Sequence, residues 1–303
     1  MATKLTANQR RTRRMKERLI EGSLLAAAAS SVFVTLGIIG VLVFESAGFF
    51  AHVSLWTFLT DTVWTPLFSE PRFGILPLLC GTLLTTFVAL MVAVPIGLTS
   101  AIYLSEFASP RLREVVKPAL ELLSGVPTVV YGFFALLFVT PLLQKTILPD
   151  LPGFNVLAAG IVIGIMIIPY IASLSEDALS AVPQGLRDSS LALGATKLET
   201  AFKVVLPAAI SGVAAAVVLA LSRAVGETMI VAIAAGQQPN LTLDPREPAA
   251  TITAFIVQVA LGDLPHGTVG YQSIFAAGLV LFLITLLFSS LSFWMRHRFR
   301  EAY

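Results

Sequence analysis

The segment 221–236, LSRAVGETMIVAIAAG, places two ionisable residues, Arg223 and Glu227, inside an otherwise apolar run. A charged side chain at the centre of a bilayer costs about 2.5–3.5 kcal/mol on insertion scales, so such residues face a protein interior or a water-lined path. In a continuous helix the spacing of four residues puts both side chains on one face, where they can partly neutralise each other. Because Arg before Glu is the less favourable order, helix stability is a poor reason for the pair.

Three hypotheses account for these two residues. The first is a structural ion pair that holds helices together. The second is a gate whose ion pair changes partner between conformations. The third is direct contact with a transported anion, since a guanidinium group presents paired donors that match the oxygens of an oxyanion.

The composition indicates the medium in which these residues lie. Of the 303 residues, 56% are hydrophobic and 13% are charged, whereas soluble domains carry about 25% charged residues. The mean hydropathy is +0.85. Six apolar windows each exceed the roughly 20 residues that cross a bilayer, so we predict an all-α integral membrane protein with six transmembrane helices. The windows are 22–44, 73–105, 122–144, 151–175, 204–236 and 273–295.

The lysines and arginines are distributed unequally between the two ends of these windows. Sixteen of the 20 lie in the N-terminal segment, the loops after the second and fourth windows, and the C-terminal tail. The opposite loops hold only Arg72, Lys145 and Arg246. The positive-inside rule therefore predicts that both termini are cytoplasmic. The first window is too long for a signal peptide and no convincing cleavage site follows it, so we predict a retained span.

These windows organise the chain into consecutive segments. A basic cytoplasmic segment covers 1–21, in which 10–21 is either a short interfacial helix or a disordered tail. The first transmembrane helix and an outward segment cover 22–72. A five-helix core covers 73–295 and includes a cytoplasmic loop over 176–206, and a cytoplasmic tail covers 296–303.

Local signals within the core predict further detail. Pro95 predicts a kink in the second span because proline lacks an amide donor. The spacing of Gly160 and Gly164 predicts close packing against another helix. The mixed polar and apolar segment 106–123 predicts a helix on the inner membrane surface. Ser124 is expected to cap a following helix whose first turn contains Pro127.

The longest inward loop, SEDALSAVPQGLRDSSLALGATKLETAFKVVLPAAISG (175–212), combines charges with a small apolar patch. A short helix with a turn at Gly194 would present this patch below the membrane as an apolar knob that suits a groove on a partner protein. The alternative is a surface helix that lies among the lipid headgroups. The patch consists of Leu191, Ala192, Leu193, Gly194 and Ala195.

This loop resembles the EAA loop of ABC importer permeases, in which Glu-Ala-Ala is followed after three residues by Gly and, nine residues later, by Ile-x-Leu-Pro. The matching positions are Gly194, Val204, Leu206 and Pro207. The departure is at Asp188, Ser189 and Ser190, which replace Glu-Ala-Ala. Further stretches resemble the PstC family of phosphate-importer permeases: FGILPLLCGTLL (73–84), VPIGLTSAIYLSEFA (94–108), SGVPTVVYGFFAL (124–136) and SRAVGETM (222–229).

The resemblance implies a type I ABC importer permease fold and a subunit of a phosphate importer in the bacterial plasma (inner) membrane. It implies a PstA-like second permease, two PstB-like ATPases that hold the ATP and magnesium, and a PstS-like phosphate-binding protein on the outer face. The residues implied to contact the ATPase are Asp188, Leu191, Ala192, Leu193, Gly194, Ala195, Lys197 and Pro207.

In such an importer the third hypothesis places inorganic phosphate against Arg223 and Glu227. The carboxylate of Glu227 would compete for the arginine during release, or accept a hydrogen bond from a protonated phosphate oxygen. Sulfate carries no such proton at neutral pH.

Other classes of function are less consistent with the sequence. The chain has no P-loop G-x-x-x-x-G-K-[ST], H-E-x-x-H, G-x-S-x-G or nucleic-acid signature, and its three histidines are scattered. We therefore predict a non-enzymatic subunit that binds no cofactor, metal or nucleic acid itself. The alternatives are a permease for sulfate, molybdate or phosphonate, and a passive anion channel or membrane sensor. The last two need no ATPase-docking loop, so ATPase binding separates them from an importer.

Overall fold

The computed structural model describes residues 7–68, 70–262 and 264–298, and the side chains of 16–295 within those ranges. Helices dominate this part of the chain. The described residues contain no β-strand and only two isolated bridges, between Trp64 and Phe73 and between Gly236 and Ala249. The predicted all-α class is confirmed.

The helices are connected by short turns and two longer outward loops. The first seven are α1 (Ala7–Phe50), α2 (Leu55–Thr60), α3 (Leu76–Ile102), α4 (Pro110–Ser124), α5 (Thr128–Phe134), α6 (Thr140–Thr146) and α7 (Val156–Ser180). The others are α8 (Gln184–Ala192), α9 (Lys197–Thr200), α10 (Leu206–Ala208), α11 (Ile210–Val225), α12 (Met229–Ala234), α13 (Ile252–Ala260) and α14 (Val269–Arg298). Three π-helical turns extend or join these helices: Tyr103–Phe107, Ala135–Val139 and Ala201–Val205.

Five helical stretches of the described chain are long and apolar enough to cross a membrane. They are Lys16–Phe50, Leu76–Phe107, Thr128–Thr146, Val156–Ser180 and Val269–Met295. The pair Lys197–Ala208 and Ile210–Val225 meets at 73° and makes a sixth span if it is counted as one broken element. This count agrees with the six predicted windows.

The third predicted window begins too early. Its first residues belong to α4, and the third span starts only at Thr128 after a break at 125–127. Pro127 disfavours helical backbone in the residue before it, which ends α4. The Ser124 hydroxyl donates to the carbonyl of Glu121 over 2.6 Å, and Pro127 occupies the N-cap of α5. The predicted capping of this helix by Ser124 is therefore wrong.

The predicted helix over 106–123 is present as α4, with different bounds. Its N-cap is Ser109, whose Oγ accepts a hydrogen bond from the amide of Leu112 over 3.3 Å, and Pro110 follows at the first helical position. Both residues favour a helix start there. Glu106, which the sequence placed on this helix, instead lies in the π-helical turn that ends the second span.

The central core is the packing of α3 against α7. A Cβ atom built on Gly160 would lie 2.6 Å from the Cβ of Val88, and one built on Gly164 would lie 2.8 Å from the carbonyl oxygen of Ala89. The close packing predicted from the glycine spacing is confirmed. Because α7 has no side chain at these two positions, atoms of α3 lie close to its backbone, and α3 and α7 form a tightly joined pair. Helix α3 continues through Pro95 to Ile102.

A second core lies towards the outward segment between α1 and α3. Edge-to-face aromatic contacts join Phe49, Phe58, Trp64 and Phe73, and Trp64 also contacts Phe255 of α13. Such pairs add about 0.5–1.5 kcal/mol each beyond the area they bury. The outward segment is thereby held against the end of the bundle.

Replacing Gly160 with Ala is expected to lower the free energy of unfolding by about 1–3 kcal/mol, because the added methyl group overpacks a contact that is already full. Gly37→Ala is the matched control, since this helical glycine has no atom within 4 Å of a built Cβ. Thermal unfolding of the purified protein in detergent measures both changes. Equal melting temperatures for the two variants would contradict this account of the α3–α7 contact.

Candidate functional site

Arg223 lies in the last turn of α11, which ends at Val225 with Gly226 as the C-cap. The residue is exposed on the surface of the single chain, and its guanidinium carbon lies 5.8 Å from the centre of the Tyr170 ring on α7. This distance allows a cation–π contact. Within the part of the chain whose side chains are described, no carboxylate oxygen lies within 4.0 Å of Arg223. The helix C-terminus, which carries partial negative charge, stabilises a cation there.

Glu227 lies in the break between α11 and α12, and it is only 4% exposed. Its Oε1 accepts hydrogen bonds from the amides of Met229 over 3.1 Å and Ile230 over 3.4 Å. Its backbone carbonyl accepts a hydrogen bond from the Thr253 hydroxyl of α13 over 2.7 Å. Amides at the start of a helix lack partners within it, so these contacts offset part of the cost of burying the carboxylate.

The predicted placement of Arg223 and Glu227 on one face of a continuous helix is wrong. Helix α11 ends two residues before Glu227, and the Glu227 amide closes a tight turn by donating to the carbonyl of Ala224 over 3.1 Å. The two side chains therefore lie in different surroundings, one exposed and one buried. Gly226 was the available signal in the sequence, because glycine often ends a helix.

Replacing Glu227 with Gln is expected to lower the free energy of unfolding by about 1–2 kcal/mol, because a neutral amide accepts these two backbone hydrogen bonds more weakly. The loss should be the same in an Arg223→Gln background to within about 0.5 kcal/mol, since the two side chains make no contact. Thermal unfolding of the single and double variants in detergent measures both. A larger coupling would restore the hypothesis of a structural ion pair.

The loop after α7 folds into two short helices joined by a sharp turn. Helix α8 ends at Ala192, and Gly194 has φ +88°, a backbone conformation that glycine adopts without strain. Helix α9 then begins at Lys197, and the side chain of its N-cap residue, Thr196, forms a reciprocal capping box with Glu199. The predicted short helix with a turn at Gly194 is confirmed.

The apolar patch surrounds this turn. Leu193 is 90% exposed at the tip, and Leu191 and Leu198 on either side are also exposed. Asp188 is exposed on α8, where its Oδ1 accepts a hydrogen bond from Gln184 over 3.2 Å, and Lys197 is exposed at the start of α9. Together with Ala192, Gly194 and Ala195, these residues form a continuous stretch from α8 to α9. Pro207 lies apart from it, on α10 at the start of the broken span.

A buried acid on α7 was missed in the sequence. Glu176, which the window assignment placed in the cytoplasmic loop, lies inside α7 and is fully buried. It accepts hydrogen bonds from Lys117 over 2.8 Å, from Ser180 over 2.8 Å, and from Arg113. The signal was the pair of basic residues four positions apart on α4, opposite the acidic pair at 176–177. These contacts attach α4 to α7.

A second interhelical ion pair joins α8, in the loop after α7, to the core. The Nη2 atom of Arg187 on α8 lies 2.8 Å from a carboxylate oxygen of Glu106 at the end of the second span. Both side chains are 11% exposed. Sequence spacing gives no indication of this contact, because the two residues are 81 positions apart.

The multi-span helical bundle, with its broken fifth span and exposed helices α8 and α9, has the type I ABC importer permease fold. It resembles a permease chain of a bacterial alginate ABC transporter with a TM-score of 0.64 and 17% identity, covering 95% of this chain and 97% of that one. It also resembles a chain of the inward-facing MetNI methionine ABC transporter, with a TM-score of 0.51, 21% identity, and coverage of 73% and 94%. At these identities the likeness concerns the fold alone.

The model of the family described as "Binding-protein-dependent transport system inner membrane component" matches residues 93–301, and the chain belongs to this family. A probable ABC transporter permease protein of Bacillus subtilis, YqgH, is 36% identical over 265 residues, covering 88% of this chain and 84% of the relative. The phosphate transport system permease protein PstC of Mesorhizobium japonicum is 34% identical over 293 residues, covering 90% and 88%. The predicted PstC resemblance is confirmed.

The chain is therefore a multi-pass membrane transport subunit. Permeases of this family work with ATPase subunits and a substrate-binding protein. This chain exposes an apolar turn around Gly194 and a cation, Arg223, at the end of α11.

Proposed function

We propose that this chain is the permease subunit of an ATP-driven phosphate importer in the bacterial inner membrane, with both termini in the cytoplasm. The observation that carries the proposal is the similarity to PstC over 90% of the chain. The subunit forms half of the translocation path beside a PstA-like permease. Two PstB-like ATPases bind and hydrolyse magnesium–ATP below it, and a PstS-like protein delivers inorganic phosphate from outside.

Arg223 is the group that receives the phosphate in this proposal. It is exposed on the single chain, and no carboxylate of the described part neutralises it. A guanidinium group can donate two parallel hydrogen bonds to one phosphate, which gives both charge neutralisation and orientation. The C-terminal end of α11 would by itself repel an anion, and the Arg223 charge offsets that repulsion.

Glu227 acts as a positioning residue rather than as the partner of Arg223. Its carboxylate holds the start of α12, and its backbone is tied to Thr253, so the break after α11 has a defined shape. Broken helices of this kind occur near substrate sites in transporters because they expose backbone groups and charged ends to a cavity. In this arrangement the break ends α11 shortly after Arg223 and leaves the exposed guanidinium group beside it.

The turn around Gly194 is the docking element for the ATPases. Leu193 would enter an apolar groove on the ATPase, with Asp188 and Lys197 on the polar rim. A protruding leucine beside charged residues fits the helix-in-groove mode of recognition. Closure of the ATPases on ATP would then move the two docking helices and open the path outward. Hydrolysis would restore the inward-facing state, as alternating access requires two global states.

Uptake of labelled phosphate into sealed vesicles tests the proposal. The vesicles hold the assembled complex with its ATPases facing inward, internal magnesium–ATP, and the binding protein outside. Phosphate uptake that requires ATP, without uptake of labelled sulfate, is the expected result. Vesicles loaded with a non-hydrolysable ATP analogue serve as the control.

The alternatives predict different results in the same vesicles. A permease for sulfate, molybdate or phosphonate would accumulate that oxyanion instead of phosphate. A passive channel would allow phosphate flux without ATP, and a sensor would bind the ion without accumulation. Any of these three results would reject the proposed substrate or mechanism.

A further inference from the structure

The docking helix α8 has few apolar contacts with the rest of the chain. None of its residues is buried, and Leu186 is partly buried against a core cluster that includes Ile102 and Leu179. A cavity of about 410 Å³ separates these elements, and polar side chains such as Ser105, Lys197 and Thr200 line it. The apolar packing of α8 on the transmembrane core thus rests on one partly buried leucine, Leu186, and the rest of the connection falls to polar side chains.

Arg187 supplies the missing connection. Its Nε donates to both carboxylate oxygens of Glu106 over 3.2 Å, and its Nη2 donates to one of them over 2.8 Å. The same guanidinium donates to the carbonyls of Leu179 over 2.8 Å and Val182 over 2.5 Å. Leu179 lies in the last turn of α7, where carbonyls lack the usual amide partner of a continuing helix, and its carbonyl also accepts a hydrogen bond from the amide of Val182 over 3.2 Å. One side chain thus joins α8 to the ends of both α3 and α7.

We infer that Arg187 is a positioning residue that makes α8 move as one body with the α3–α7 pair. A displacement of α8 by the ATPase is thereby transmitted to the translocation path. This inference rests on the proposed function, in which the ATPase docks at α8. We call Arg187, Glu106 and the carbonyls of Leu179 and Val182 the Arg187 latch. The close packing at Gly160 and Gly164 makes α3 and α7 a single stiff unit.

The middle of α7 reaches the candidate substrate residue. Tyr170 lies ten residues before Ser180 on α7, and its ring is the one that Arg223 contacts. A shift of α7 therefore changes the surroundings of Arg223 directly. The latch connects the docking surface to this shift through one continuous helix, without an intervening loop.

The latch depends on the fork geometry of arginine. A lysine keeps the positive charge but has three donors on one atom, so it cannot reach a carboxylate and two carbonyls on different sides. Arg187→Lys is therefore expected to leave ATP hydrolysis by the complex intact while it lowers phosphate uptake per ATP hydrolysed by about tenfold, within the usual range of coupling between sites. Arg72→Lys is the matched control, because Arg72 makes a similar fork with Asp61 in the outward segment.

Removing the carboxylate tests whether the two side chains act through the same contact. Glu106→Gln should lower the coupling ratio in the same direction, and the double variant Glu106→Gln/Arg187→Lys should be no worse than the more severe single variant. Multiplicative losses in the double variant would show that the residues act independently, which would overturn the latch. A fall in assembled complex with an unchanged coupling ratio would also overturn it, because that is the result of a purely structural role.

A distance measurement separates the latch from the identity of the substrate. Spin labels are placed at Ser189→Cys on α8 and Met91→Cys on α3 of the assembled complex, in a Cys80→Ser background. The latch predicts one narrow distance distribution that is the same with and without ATP, and a broadened one in Arg187→Lys. If the distance between the two labels changes with ATP in the complex that retains Arg187 and Glu106, the inference is overturned. If the wild-type complex carries no phosphate but shows the predicted distances, the proposed function fails and the latch stands.

Discussion

Replacing Arg223 with Gln is expected to lower ATP-driven phosphate uptake by about 10- to 100-fold, because hydrogen bonds to a charged group contribute about 1.5–3 kcal/mol. Glutamine keeps a side-chain donor of similar reach but presents neither the charge nor the paired N–H groups of guanidinium. The initial rate of uptake into vesicles that contain the assembled complex measures the effect. Because the variant changes an exposed side chain at the end of α11, assembly should remain normal.

Two controls make this result specific to the position of the charge. Arg246→Gln removes an arginine from the outward loop, where it pairs with Asp244 over 2.6 Å, and it should leave uptake unchanged. Arg223→Lys keeps a positive charge without the paired donors, so it should recover part of the rate. Normal uptake by a correctly assembled Arg223→Gln complex would contradict a substrate role and leave this residue with a structural role only.

Arg223 is exposed and Glu227 is buried, so the two residues are expected to have different roles. If the carboxylate acted as a competitor for the arginine, its removal would slow release of the substrate while leaving the protein stable. The structure instead places the carboxylate on two backbone amides, where its removal affects the shape of the break. We therefore expect stability to change more than substrate selectivity in Glu227→Gln.

Much of the fold follows from composition and local signals. Apolar length predicts the spans, and the glycine pair on α7 predicts its packing against α3, because both depend on short segments. The turn at Gly194 is also readable, since a glycine follows a short amphipathic stretch there. In each of these cases the physical cause lies within a few residues of the feature.

The breaks within the spans were harder to predict from the sequence. Hydropathy does not distinguish a helical residue from an unwound one, so the window 204–236 conceals two interruptions, at Ala209 and at 226–228. The first interruption follows Pro207, and the second follows the glycine that caps α11. Both signals were present, but neither proline nor glycine ends every helix inside a membrane, where neighbouring helices can satisfy the exposed backbone.

The interhelical ion pairs depend on the fold and not on the local sequence. Glu106 and Arg187 meet because α3 packs along α7 and α8 follows the end of α7, close to the turn that ends the second span. Glu176 pairs with Arg113 and Lys117 because α4 lies across the end of α7. No spacing rule within one helix predicts contacts of this kind. They can be predicted only once the relative positions of the helices in space are known.

Leu193, exposed at the tip of the turn around Gly194, is expected to contribute strongly to binding of the ATPase subunits. Leu193→Asp is expected to weaken binding of the ATPase subunits by about 30-fold, equivalent to about 2 kcal/mol, because a central apolar anchor is replaced by a charge that the groove cannot pair. Copurification of the ATPases with the permease, and titration of the purified ATPase against permease in detergent, measure the loss. ATP-driven uptake should fall with it.

A leucine elsewhere on the surface provides the comparison. Leu243→Asp changes an exposed leucine in the outward loop between α12 and α13, and it should leave ATPase binding unchanged. Leu193→Met keeps the apolar character and should retain most of the affinity, since volume-conserving apolar changes are well tolerated. If Leu193→Asp bound the ATPases as tightly as the wild type, the turn around Gly194 would not be the docking element, and the alternative of a helix among the lipid headgroups would account for its exposed leucines.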